Sequence, residues 1–235
     1  MQIYESEKFQ EIFSQSHLAE LQSDHPDLPS PIVDQLKIYT QRATTLASIE
    51  SATGLSFDVV TSGHQSNVAA FVDVQTEKAY ITLETLADPA LALHAAHHEK
   101  GHLDSGIYDF HMDKFLNDQQ LKAIKQAIGP NFDQIDWVEA FNEANTFQDH
   151  GRHAQSGYAA KEVPAGQKIH QLAMQKLGKS VLGSFASGQK LQLENIIKEL
   201  ADHLILDGHI NQHHSQITNL FSSPSSSIKR QIFFQ

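Results

Sequence analysis

The segment His98-Glu99-Lys100-Gly101-His102 constrains this chain more than any other. On a helix, residues four apart share a face, so His98 and His102 can turn both imidazoles toward one metal ion while Glu99 stands beside it, close to a metal-bound water. The flanking residues predict such a helix. Asp88-Pro89 offers an N-cap followed by proline at the first helical position, and Leu91, Leu93, Ala95 and Ala96 supply apolar residues, so the helix should run from Ala90 to about Asp104. With 15 histidines in 235 residues, a pattern of this type is expected by chance only about 0.05 times per chain.

The rest of the composition narrows the chemistry. The chain has no cysteine, which removes disulfides, thiolate metal sites and cysteine nucleophiles. A metal must then be held by imidazole and carboxylate; Zn²⁺ with a third protein ligand and an open fourth position is the simplest occupant. A net charge of −11 argues against nucleic acid and against an anionic membrane surface as partners. No stretch is long and apolar enough for a membrane span. Met1–Lys8 has neither a basic stretch nor an apolar run, so the expectation is a chain that acts in the cytoplasm or leaves by a route without a cleavable leader.

Around the motif the pattern predicts an α+β chain that is mainly helical. Phe9, Ile12 and Phe13 are spaced as on a helix, prolines break the pattern at 26, 29 and 31, and Ile32 to Ser51 resumes it. Phe57–Val60, Ala69–Val74 and Ala79–Leu83 read as strands, the last two as a β-hairpin. Further helices are expected at Asp118–Ile128, Asp133–His150, Gly166–Leu177 and Gln189–Leu206, with a serine-rich link at 222–227 before the terminal Phe233-Phe234. This divides the chain into an N-terminal helical region (1–55), a core with the motif (56–165) and a C-terminal helical region (166–235), packed as one globular unit.

Strand, edge strand and motif helix together resemble the zincin metallopeptidases over about residues 57–150. The resemblance implies a zincin-like fold with a small antiparallel or mixed sheet packed on the motif helix. It also implies a zinc metalloendopeptidase: Zn²⁺ activates a water, Glu99 is the general base, and the partner is a protein or peptide. Lys100 departs from the uncharged residues most zincins have there, and must snorkel outward. The metzincin pattern would need a glycine and a histidine where this chain has Ser105 and Tyr108. Trp137-Val138-Glu139-Ala140-Phe141-Asn142-Glu143-Ala144-Asn145 instead resembles the glutamate helix of gluzincins.

Two readings of that helix stay open. In the first, similar to the anthrax lethal-factor-like toxin peptidases, Glu139 is the third ligand and Glu143 buttresses a ligand histidine. In the second, Glu143 is the ligand, since Glu143-Ala144-Asn145-Thr146-Phe147 resembles a stretch of the repressor-cutting ImmA/IrrE-type peptidases. One resemblance implies a delivered toxin or effector, the other a cytoplasmic regulator; a non-catalytic zincin-like binding module is the competing reading. Tyr158 is the first candidate to stabilise an oxyanion, followed by His153, His150 and Tyr108. Ala79, Tyr80 and Ile81 are expected to form the edge on which an extended peptide adds. His94 reads as packing or as a partner behind a ligand, His97 as polar surface, and His209, His213 and His214 as a solvated helix end.

Overall fold

The computed structural model describes residues 2–61, 68–150 and 161–222. It is mainly helical with one small mixed sheet. The chain opens with strand β1 (Gln2–Tyr4) and helices α1 (Ser6–Ile12), α2 (Gln15–Asp24) and α3 (Ser30–Thr53). Strands β2 (Phe57–Thr61), β3 (Ala70–Asp73) and β4 (Lys78–Thr82) follow, then helices α4 (Pro89–Ser105), α5 (Asp118–Ile128), α6 (Trp137–His150), α7 (Glu162–Leu177), α8 (Val181–Ala186) and α9 (Lys190–Ser222).

The sheet order is β1-β2-β4-β3. β3 and β4 form the expected antiparallel hairpin, with Phe71 opposite Tyr80, and β4 also pairs in parallel with β2, Val59 opposite Ile81. This corrects one expectation. Ala79, Tyr80 and Ile81 lie on an interior strand whose main chain is paired on both sides, so they cannot offer a free edge; the edge strand of the hairpin is β3. The reason is long-range pairing: β2 returns to β4, which the hairpin's local pattern does not reveal.

Other differences are local. β1 and α8 escape the periodicity reading because three and six residues are too few to show a period. α7 starts at Glu162, four residues before the expected Gly166, and tolerates Pro164 because first-turn N–H groups need no helical partner. α9 continues to Ser222 instead of stopping near Leu206. Before α6, Phe132–Gln134 form a separate 3₁₀ turn, and Asp136 caps α6 by accepting from the N–H groups of Val138 and Glu139.

Two apolar cores result. One packs Phe57, Val59, Ala79 and Ile81 of the sheet against Leu46 and Ile49 of α3 and Ala92, Ala95 and Ala96 of α4. The other gathers the later helices around Phe141, Ile169, Phe185, Leu193 and Ile197. The front half of α4 belongs to the first core, and the face of α4 that bears His98 and His102 meets α6, which belongs to the second. Polar side chains concentrated between two apolar cores are the arrangement from which a site is built.

Candidate metal centre

α4 begins as its sequence dictates. The Asp88 carboxylate accepts from the N–H groups of Ala90 and Leu91 at 3.0 and 3.1 Å, Pro89 occupies the first turn, and Gly106 ends the helix in the left-handed conformation at φ 59°. On this helix His94, His98, Glu99 and His102 are all buried. Lys100 turns outward and pairs with Asp104 through contacts of 2.7 and 2.8 Å, so its charge stays off the site.

Three groups could hold a metal ion: His98, His102 and Glu139. The Nε2 atoms of His98 and His102 lie 3.1 Å apart, Glu139 Oε2 is 3.0 Å from His98 Nε2, and Glu139 Oε1 is 3.4 Å from His102 Nε2. Bonds of about 2.0–2.1 Å to a tetrahedral ion give ligand-to-ligand edges of about 3.3–3.4 Å, so these separations fit a small ion. Glu139 Oε2 is buried and, although close to His98, has no hydrogen bond of proper geometry, as an oxygen aimed at a common centre would not. Two imidazoles and one carboxylate are a donor set for a borderline divalent ion.

Glu143 does not point there. Its Oε2 is 2.6 Å from His98 Nδ1, on the far side of the ring, and its Oε1 is 2.8 Å from His94 Nε2. A carboxylate only accepts, so His98 donates from Nδ1 and turns Nε2 toward Glu139 and His102. Comparisons with models of known families, with curated proteins and with solved structures found no match for this chain. What the site can do therefore follows from its own geometry.

The charges are strongly perturbed. Burial by itself would lower the pKa of His98, but Glu139 and Glu143 outweigh it and raise the value to about 10. Burial works against ionised Glu139, yet His102 and His98 bring it down to about 2. Glu99 is 7 % exposed, and burial pushes its carboxyl up, opposed by His98, His102 and the Val72 N–H.

These groups line a cleft of about 710 Å³ between β3, α4 and the start of α6. Val68, Val72, Val74, Leu91 and Ala95 form its apolar side. Tyr108 lines it too, its ring 6.5 Å from that of His102 and nearly parallel to it. Tyr158 and His153 lie outside the described residues, as do the side chains of His150, His213 and His214; His209 is exposed on α9. Sequence reasoning undervalued Asp136, which lines the cleft as well as capping α6. Its place just before Trp137 was the available cue.

Proposed function

We propose that this chain is a zinc-dependent metallopeptidase of gluzincin type, with Zn²⁺ held by His98, His102 and Glu139 and with Glu99 as general base. The observation that carries the reading is the convergence of those three ligand groups beside a buried carboxyl, in a cleft bordered by the edge strand β3. Bound Zn²⁺ would acidify a water and polarise a substrate carbonyl.

The protein's own groups supply the rest. Glu99, whose carboxyl is pushed up by burial, takes the proton of the attacking water and passes it to the departing amine nitrogen. Glu143 holds His98 in the orientation that metal binding needs. Tyr108, on the cleft wall beside His102, is the described residue best placed to donate to the carbonyl oxygen as charge develops on it.

Substrate would add along β3. Thr82 donates its N–H to Ala69, so by antiparallel alternation Phe71 exchanges hydrogen bonds with Tyr80, and the main-chain groups of Ala70 and Val72 face away from β4. The Val72 N–H is taken by Glu99, so an extended peptide can pair with the main-chain groups of Ala70 and the carbonyl of Val72 and lay alternate side chains against Val68, Val74 and Leu91.

The test is Glu99→Gln in the full chain. It should retain one zinc per molecule and lower cleavage of an unstructured peptide library about 10²–10⁴-fold. Undiminished cleavage would overturn the mechanism.

A further inference from the structure

Across the contact between α4 and α6, histidines and glutamates interleave. α4 offers His94, His98 and His102, one turn apart, and α6 offers Glu143 and Glu139 in the reverse order. The contacts run His94 Nε2 to Glu143 Oε1 at 2.8 Å, Glu143 Oε2 to His98 Nδ1 at 2.6 Å, His98 Nε2 to Glu139 Oε2 at 3.0 Å, and Glu139 Oε1 to His102 Nε2 at 3.4 Å. A metal centre of three ligands accounts for the second half of this series. It does not account for His94.

Glu143 is 2 % exposed. A carboxylate so deeply buried needs donors on both oxygens, and one held from a single side can swing about its terminal torsion, which has only broad preferences. His98 holds one oxygen and His94 the other, so the plane of the carboxylate is fixed by two rings one helical turn apart on the same rigid element.

We infer that His94 is a positioning residue of the metal centre: by donating its Nε2–H to Glu143 Oε1, it keeps Glu143 Oε2 on His98 Nδ1 and thereby holds the His98 Nε2 lone pair on line with His102 and Glu139. The inference rests on the metal-centre reading above and extends the working motif to His94-x-x-x-His98-Glu99-x-x-His102. Simple packing makes a different demand, because a ring of similar size without a donor would then serve equally well.

Zinc affinity of the full chain, read by competition with a chelator, separates the two. His94→Phe should bind zinc about 10–100-fold more weakly than the parent chain. His94→Gln, whose amide can still reach Glu143, should stay within a few-fold of it, and His94→Asn, shorter by one methylene, should not. In a Glu143→Ala background, which leaves His94 no acceptor there, His94→Phe should cost nothing further, because it acts through Glu143. Far-UV circular dichroism of the metal-free proteins checks the fold, and if His94→Phe does not fold, the Gln and Asn pair decides. Unchanged zinc affinity in His94→Phe, equal affinity of the Gln and Asn variants, or the same loss with and without Glu143 would overturn the inference. A parent chain that takes up no zinc would overturn the metal-centre reading, and this inference with it.

Discussion

A Cβ placed on Gly101 would stand 2.0 Å from Oδ1 of Asn142, so α4 and α6 meet at the level of His98 and His102 with no room for a side chain. The same Asn142 donates from Nδ2 to the carbonyl of His98 at 2.8 Å, tying the two helices together beside that histidine. Gly101→Ala must push Asn142 aside and break that bond. It should lower stability by roughly 1–3 kcal/mol in denaturant melts and weaken zinc binding as well. Adding Asn142→Ala should restore part of the stability; a Gly101→Ala protein as stable as the parent would show that the helices are free to separate.

Glu139 and Glu143 should separate cleanly by metal analysis. Glu139→Ala removes a ligand and should leave less than one zinc per chain after dialysis. Glu143→Ala leaves the ligand set intact but unbraced, and should weaken affinity about 10–100-fold while keeping the stoichiometry. The reverse ranking would make Glu143 the ligand and contradict the 2.6 Å contact with His98 Nδ1.

The pH dependence of the metal-free protein has a defined sign. His98, raised from 6.5 to about 10, stabilises the fold fully below pH 6.5 and loses that contribution as pH rises through about 10. Glu139, lowered from 4.5 to about 2, contributes above pH 4.5 and loses its share as pH falls through about 2. The thermal midpoint should therefore peak between those windows and decline from pH 7 toward 10. Zinc requires the His98 Nε2 lone pair, so its uptake at pH 7 should release about one proton from His98, and apparent affinity should rise up to about tenfold per pH unit as pH approaches 10. Calorimetry in buffers of different ionisation enthalpy reads the proton count, and a count of zero would contradict the assignment.

Proline substitutions should distinguish the two faces of β3. The Val72 N–H faces away from β4 and donates to the Glu99 carboxylate, so Val72→Pro leaves the hairpin ladder intact, strips the general base of one donor and should lower kcat with little change in the thermal midpoint. Phe71→Pro deletes a ladder donor opposite Tyr80 and should destabilise the sheet strongly. Equal kcat values for the parent and Val72→Pro would show that this donor does nothing for Glu99.

How much of this was legible without the fold differs by element. The hairpin, α4 with its Asp88-Pro89 start, and the pairing of His98 with His102 rest on local rules: cap chemistry, period and i, i+4 spacing act within a few residues of chain. β4 as an interior strand was not legible, because it depends on β2, some twenty residues away, closing on it in parallel. Nor was the contact of His94 with Glu143, since spacing alone leaves His94 as packing or as a partner behind a ligand.

The sequence by itself determined that one helix would carry two imidazoles and a carboxylate on a metal-binding pattern, and that a second helix would bring two glutamates one turn apart. Only the tertiary structure set where each of those glutamates lies. An i, i+4 pair shares a face, so spacing cannot rank them; the register of α6 against α4, set where Gly101 admits Asn142, puts Glu139 on the Nε2 side of His98 and Glu143 on its Nδ1 side.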